Sequence, residues 1–378
     1  MRSMEDNPKG ARRVLVTGLS TYWGGRLAAA LESNPAIEAI IGVDSNEPTR
    51  ELTRTEYVRV GAEHRLIERI VQAARIDTVV DTRLMVDSVR GPDGKRPEQI
   101  HENNVIGTLN ILAACSAGGS PVRKLVFKSS AHWYGCAQDD PAFFTEDMVR
   151  RYEPETKVER DVVEAEAAVA EFRAQRPAVA VSVLRFANVL GAEVDTSHVQ
   201  LLGMPAVPMI AGFDPRYQFV DEIDVVHGLE HVVVRDIPGI YNVAGDGVLT
   251  LSEVISLLGK HPLPVIPPWG TSLAMAAYRR VGLTLPAEMV KQLRFGRAVD
   301  NRAFKATGFH FRYTSRETVL HLRDRLRLDP VADRKGAEYS YEPEVEDFLR
   351  HSPHVDRSRN DFGREDAALF DPSPPVQD

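Results

Sequence analysis

The sequence VLVTGLSTYWGG, residues 14–25, gives the clearest indication of the fold. A short apolar run ends at Gly18 and leads into helix-forming residues, which predicts a strand, a tight turn and a helix. Such a turn lets the backbone approach a pyrophosphate, and the following helix offers free N–H groups. Thr21 stands where a dinucleotide loop has its middle glycine, so its side chain either obstructs a phosphate or donates its hydroxyl to one. The predicted cofactor-binding residues of this turn are Gly18, Thr21, Tyr22, Trp23 and Gly24.

A second buried run, IEAIIGVD, ends at Asp44. A carboxylate at the end of the second strand accepts hydrogen bonds from an adenosine ribose and repels a 2′-phosphate. Asp44 therefore predicts NAD as the cofactor in preference to NADP.

Strand-like runs alternate with helical segments through most of the chain, which indicates βαβ units and a parallel sheet. We predict an α/β fold, a Rossmann-like doubly wound parallel sheet with a smaller C-terminal substrate subdomain. The expected organisation is a flexible N-terminus over 1–12, an NAD(P)-binding domain over 13–195, an interleaved substrate-side subdomain over 196–328 and an acidic, disordered tail over 329–378.

Composition narrows the class of protein. Hydrophobic residues make up 43% of the chain and charged residues 26%, values typical of a globular protein. Most of the net charge of −8 falls in the acidic tail, so we expect neither a nucleic-acid partner nor a membrane partner. Two cysteines, with no paired spacing and no apolar leader, predict a cytoplasmic protein without a disulfide framework or metal site.

Several later segments resemble one family. NNVIGTLNILAAC (103–115), LVFKSSAHWYG (125–135) and VLRFANVLG (183–191) are similar to segments of the extended short-chain dehydrogenase/reductases. Among these the chain resembles, over roughly residues 13–327, the NAD-dependent epimerases and dehydratases that act on nucleotide sugars. The resemblance implies a small-molecule substrate of the nucleotide-sugar class and a homodimer formed through the helices matching NNVIGTLNILAAC and ERDVVEAEAAVAEF. It also implies cofactor contacts from Ala62, Asn104 and Ser129, and substrate contacts from Asn188, Arg216 and Tyr217.

The same resemblance places the catalytic groups. The family uses a serine, matched here by Ser130, with a Tyr-x-x-x-Lys pair whose positions fall on Val158 and Val162. Valine transfers no proton, so the usual mechanism is not expected. Tyr152 and Lys157 are the nearest approach to a displaced pair, and His132, beside Ser130, is either a substitute base or a turn residue. Two functions remain open: an oxidoreductase with a nonstandard base, and a catalytically silent dinucleotide-binding sensor or interaction protein.

Two further residues are ambiguous. Arg83 follows the strand DTVVD, where the resemblance implies small residues beside the cofactor, so it either pairs with a phosphate, fills the cleft or forms a surface ion pair. Lys128, inside a buried strand, needs a partner such as Asp81 or Asp77, or else faces the cleft.

Overall fold

A seven-stranded parallel sheet forms the centre of the computed structural model, which describes residues 12–61, 64–86, 97–265 and 287–335. Its strands are β1 (Arg13–Thr17), β2 (Ala39–Asp44), β3 (Thr55–Arg59), β4 (Thr78–Asp81), β5 (Lys124–Ser130), β6 (Ala180–Phe186) and β11 (Gly239–Val243). They lie in the order β11-β6-β5-β4-β1-β2-β3 across the sheet. Every neighbouring pair among them is parallel, so the predicted fold class is confirmed.

Helices cover both faces of this sheet. One apolar cluster joins it to α2 (His64–Ala73), α4 (Gly107–Ser116) and α5 (Lys157–Gln175). A second cluster, on the other face, includes residues of α1 (Tyr22–Glu32) and α7 (Glu222–Val234). Helix α4 continues a helical segment that begins with α3 (Pro97–His101) and contains a π-helical turn at Glu102–Ile106. The inner strands β1, β2, β4, β5 and β6 are buried on both faces, which explains their continuous apolar runs, whereas the edge strand β3 is largely exposed.

The strand order reverses between β1 and β4, because β2 and β3 extend the sheet in one direction and β5, β6 and β11 in the other. A doubly wound sheet opens a crevice at the carboxyl ends of the strands flanking such a reversal. The loop after β1 begins at Gly18, and Arg83 lies two residues past the end of β4. The topology therefore places both beside this crevice.

Smaller sheets follow β6. They are formed by β7 (Asn188–Leu190) with β10 (Phe219–Asp221), by β8 (Ala206–Ile210) with β13 (His261–Val265), and by β9 (Arg216–Tyr217) with β12 (Leu249–Thr250) and β14 (Gly296–Arg297). The remaining described helices are α6 (Ser197–Gly203), α8 (Leu251–Leu257), Ala287–Phe295, Arg302–Ala306 and Ser315–Lys335. A third apolar cluster joins many of these elements.

Strand β11 lies within the predicted interleaved segment and completes the main sheet, and Met1–Leu326 forms one compact unit. The second unit is Arg327–Asp378. Helix Ser315–Lys335 includes residues 329–335 of the predicted tail, because the helical pattern continues past the acidic residue that marks the predicted boundary. The other domain boundaries stay predictions. The rest of the tail, like Ala62 and residues 1–11, lies outside the described residues.

Candidate functional site

The first loop keeps the close approach that a phosphate-binding turn requires. Gly18 has a φ of 78°, and a Cβ built at Gly24 would collide with the Gly18 carbonyl oxygen. Glycine is therefore required at both positions. Thr21 is the N-cap of α1: its hydroxyl donates to the Gly18 carbonyl (2.6 Å) and accepts from Gly24 N–H (3.1 Å). The hydroxyl is therefore bonded within the loop, and the expected effect of Thr21 on a phosphate stays a prediction.

Asp44 is held at the end of β2 by the same loop. Its Oδ2 accepts from the backbone N–H and the hydroxyl of Ser20, at 2.9 and 2.8 Å. Its Oδ1 accepts from the backbone N–H of Ser45 at 2.7 Å. Asp44 also lines a cavity of about 240 Å³ together with Val60, Gly61 and other residues. The carboxylate is thus oriented beside a space of suitable polarity for an adenosine ribose.

Arg83 lines the same cavity. Its Nε and Nη2 bond the two carboxylate oxygens of Asp81 at 3.1 and 3.3 Å. A Cβ built at Gly18 would lie 2.6 Å from Arg83 Cγ, and one built at Gly107 would lie 2.6 Å from Arg83 Nη1. The side chain therefore extends from the first loop to the start of α4. Arg83 therefore fills part of the cleft and pairs with the buried Asp81, and its guanidinium lies next to the crevice.

Two predicted cofactor contacts are engaged in internal hydrogen bonds. The Asn104 amide bonds both backbone groups of Met85 at 2.8 Å and donates to Asp161 at 3.2 Å. The Ser129 hydroxyl donates to Glu166, which also pairs with Arg185. Both side chains are buried and tie the sheet and its loops to α5. Their expected role as direct cofactor contacts stays a prediction.

Ser130 and His132 lie together at the end of β5. Ser130 caps the 3₁₀ turn Ala131–Tyr134, and its Oγ lies 2.8 Å from His132 Nδ1 and 3.3 Å from the His132 backbone N–H. Burial, together with the positive charge of Arg297, holds the pKa of His132 well below its usual range. His132 is therefore a neutral imidazole at physiological pH.

A small cavity lies beside this pair. Its volume is about 40 Å³, and its lining includes Trp23, Lys128, Ser130, Phe186, Asn188 and His198. Asn188 is buried, and its Oδ1 has no hydrogen-bond partner among the described residues. Lys128 Nζ lies 5.4 Å from the centroid of the Trp23 ring, an interaction that helps to stabilise a buried ammonium group. The cavity offers donor and acceptor groups but holds only water-sized molecules in this arrangement.

Two residues that the sequence analysis did not single out extend the network. Gln292 Nε2 lies 3.4 Å from His132 Nε2, and Gln292 Oε1 lies 3.0 Å from His198 Nε2. Burial lowers the pKa of His198 to about 4 despite the Gln292 hydrogen bond. Neither residue belongs to a motif, and only the fold brings helix Ala287–Phe295 and α6 to the end of β5.

The alternative pair for proton transfer lies elsewhere. Tyr152 is exposed, and its hydroxyl donates to Asp139 at 3.3 Å. It lines a separate cavity of about 330 Å³ that does not include Ser130, and Lys157 is exposed at the start of α5. Val158 and Val162, the matched positions, are buried in the apolar cluster. Tyr152 and Lys157 are therefore not brought to Ser130.

The remaining predicted contacts are divided between surface and interior. Arg216 is exposed, whereas Tyr217 is buried and stacks on Phe219 with ring centroids 5.8 Å apart. The Tyr22 hydroxyl donates to Glu222 at 2.5 Å. Neither Tyr22 nor Tyr217 belongs to the lining of the small cavity, and their expected contacts with cofactor and substrate stay predictions.

The described residues fit a dinucleotide at the adenosine end, where the glycine turn leads into the N-terminus of α1 and the Asp44 carboxylate lines the cavity of about 240 Å³. The small cavity at Ser130 must widen before a dinucleotide or another ligand can occupy it, since cofactor and ligand sites normally exceed about 300 Å³. Within the described residues, no group of His, Cys, Asp and Glu side chains has the geometry of a metal site. None of the helices described is long and apolar enough to cross a membrane.

Comparisons with known proteins agree with this architecture. The profile of the NAD dependent epimerase/dehydratase family matches residues 14–244. The Uncharacterized protein Rv0501 of Mycobacterium tuberculosis is 32% identical over 335 residues, covering 87% of this chain and 88% of that protein. The structure of the UDP-glucose 4-epimerase of Thermotoga maritima with UDP-glucose is similar, with a TM-score of 0.63 and 19% identity over 84% of this chain and 99% of that one. The dTDP-glucose 4,6-dehydratase of Bacillus anthracis in complex with NAD has a TM-score of 0.62 and 16% identity, over 85% and 98% of the two chains.

Proposed function

The chain belongs to the NAD dependent epimerase/dehydratase family, and we propose from this premise that it binds NAD and oxidises or reduces a nucleotide-sugar substrate without the family's usual base. The observation that carries the proposal is the Ser130–His132 pair, with 2.8 Å between Oγ and Nδ1, at the carboxyl end of β5. Asn188 supplies an open carbonyl oxygen to the same cavity. These groups would contact the reacting oxygen of a substrate.

The proposed cofactor site has two parts. The pyrophosphate would bind at the N-terminus of α1, which follows the turn that Gly18 and Gly24 allow to pack closely, and Asp44 would accept hydrogen bonds from the adenosine ribose. NAD supplies the hydride-transfer chemistry when bound. A 2′-phosphate would meet the Asp44 carboxylate, which favours NAD over NADP.

Binding is tested by titrating cofactor-stripped protein with NAD, NADH, NADP and NADPH in a calorimeter. We expect NAD to bind at least tenfold more tightly than NADP, a difference of about 1.4 kcal/mol. Asp44→Asn keeps an acceptor oxygen but removes the charge, so it should narrow this preference. Absence of binding of all four nucleotides would contradict the proposal.

Chemistry is tested separately, by incubating the NAD-loaded protein with UDP-glucose and UDP-glucuronic acid and following reduced nicotinamide by its absorbance. Ser130→Ala should abolish any turnover while leaving NAD affinity within about twofold, a difference of about 0.4 kcal/mol. Ser252→Ala is a matched control that should change neither turnover nor NAD affinity, because this exposed serine bonds Asp214 and lines neither the small cavity nor the cavity at Asp44.

A second function has its own support. Val158 and Val162 replace the proton-transferring pair, and the cavity of about 40 Å³ is too small for a sugar ring. A protein that binds NAD without chemistry, as a sensor or interaction protein, fits both observations. NAD binding without turnover of any nucleotide sugar would favour this function.

We also propose a homodimer formed through the helices carried by residues 103–115 and 159–172. Ile106 and Leu109 are 43% and 45% exposed on the first of these, an unusual position for large apolar side chains unless another surface covers them. Light scattering should give twice the chain mass, and Leu109→Glu should shift the protein to monomer. A monomeric wild-type protein would contradict the proposal.

A further inference from the structure

The network around Ser130 has a defined hydrogen-bond direction. His198, Gln292, His132 and Ser130 form a buried chain with successive contacts of 3.0, 3.4 and 2.8 Å. A neutral imidazole has one N–H and one acceptor nitrogen, whereas the glutamine amide has a donating nitrogen and an accepting oxygen. The orientation of one amide therefore determines which nitrogen of each histidine carries its proton.

Gln292 points its oxygen to His198 and its nitrogen to His132. His198 must then carry its proton on Nε2 and donate it to the amide oxygen. His132 Nε2 must be unprotonated, because it accepts from the amide nitrogen.

The proton of neutral His132 is left on Nδ1, which faces Ser130 Oγ. Ser130 Oγ then accepts two hydrogen bonds, from Nδ1–H at 2.8 Å and from the His132 backbone N–H at 3.3 Å. An oxygen whose lone pairs are both occupied turns its own hydrogen away from both donors. Ser130 lines the small cavity, so this hydrogen is available to a ligand there.

We propose that Gln292 and His132 are positioning residues that hold Ser130 as a hydrogen-bond donor to a carbonyl oxygen of the ligand. The opposite amide orientation would make His132 Nδ1 an acceptor and turn the Ser130 hydroxyl toward it, as a general base requires. The inference rests on the proposed function only for the carbonyl ligand, since the tautomers are properties of the protein alone. Burial of both imidazoles keeps them neutral, which preserves the direction of the chain.

The test is nitrogen NMR of the full chain labelled with ¹⁵N at histidine, at neutral pH. The signals of His132 and His198 are assigned by their loss in His132→Gln and His198→Gln. We expect His132 protonated on Nδ1 only, and His198 protonated on Nε2 only. A wild-type His132 protonated on Nε2 would overturn the proposal, and this measurement requires no variant of Gln292 to fold.

Gln292→Glu should move the proton of His132 from Nδ1 to Nε2, because a carboxylate only accepts hydrogen bonds. Gln200→Glu is the control and should leave the signals of both histidines unchanged. Gln200 is a matched control because it lies on α6 near His198 in sequence but bonds Asp195 on the surface. A folded Gln292→Glu protein with Nε2 of His132 still unprotonated would contradict the proposal. If NAD does not bind, the proposed function fails while this tautomer test still stands.

Discussion

The side chain of Arg83 covers Gly18: a Cβ built at Gly18 would lie 2.6 Å from Arg83 Cγ. Arg83 is also bonded to Asp81, a buried carboxylate at the end of β4. The crevice where the strand order reverses is thus lined by a glycine that cannot be enlarged and by a cation fixed to the neighbouring strand.

Arg83→Ala should lower the free energy of unfolding by about 3 kcal/mol at neutral pH, because it leaves the buried Asp81 carboxylate without its counterion. Burial alone would raise the pKa of Asp81, but the charge and hydrogen bonds of Arg83 outweigh it and lower that pKa. A depressed pKa stabilises the fold above the unfolded value of about 4. The difference between wild type and variant should therefore be full above that pH and narrow as pH falls through the folded pKa.

Urea unfolding at a series of pH values measures this difference. Arg59→Ala is the control, because Arg59 is exposed and its Nε bonds the Ser45 carbonyl, with no buried carboxylate. A pH-independent difference for Arg83→Ala would show that Asp81 is not the group responsible.

Gly24→Ala should weaken NAD binding at least tenfold, about 1.4 kcal/mol, since the new Cβ displaces the Gly18 carbonyl and the loop around it. The same displacement should destabilise the fold by about 1–3 kcal/mol. Gly25→Ala is the matched control, because its Cβ would meet the Leu19 carbonyl at 3.3 Å, where a small shift relieves the contact. Equal NAD affinity for the two variants, measured by calorimetry, would argue against a phosphate site at Gly24.

Val162→Lys, which restores half of the family's pair, should unfold or strongly destabilise the protein. Val162 is fully buried in the apolar cluster, so an ammonium group there costs several kcal/mol, on the order of 3 or more. Val149→Lys places the same residue at a site that is 78% exposed and should change stability by less than about 0.5 kcal/mol. Thermal unfolding compares the two, and a stable Val162→Lys protein would mean that this position opens to solvent.

Tyr152→Phe combined with Lys157→Met should leave both stability and NAD affinity nearly unchanged, within about 0.5 kcal/mol, because both side chains are exposed. Chemical denaturation and calorimetry check this double variant. Loss of turnover in the folded double variant would make Tyr152 and Lys157 catalytic candidates again.

Tyr134→Phe should cost about 1–3 kcal/mol of stability, since the Tyr134 hydroxyl donates to buried Asn242 at 2.8 Å. Chemical denaturation of the variant and the wild-type protein measures this difference.

The sequence alone was sufficient for the sheet and its crevice. Continuous apolar runs ending at Gly18 and Asp44 indicate buried parallel strands, because a strand covered on both faces needs apolar residues at every position. The requirement for glycine at 18 and 24 is also a local property of the backbone, and the structure places both in close contacts. The absence of a Tyr-x-x-x-Lys pair could likewise be read without coordinates, and burial of Val158 and Val162 agrees with it.

The hydrogen-bond partners of the buried polar side chains depend on the tertiary structure. Asn104 and Ser129 matched a motif, but their hydrogen bonds go to Met85, Asp161 and Glu166, which lie far away in sequence. Gln292 reaches His132 from a distant helix, and no local pattern encodes that meeting. Backbone conformation and apolar burial follow from neighbouring residues, whereas the partner of a buried polar group depends on which distant segments the packing brings together.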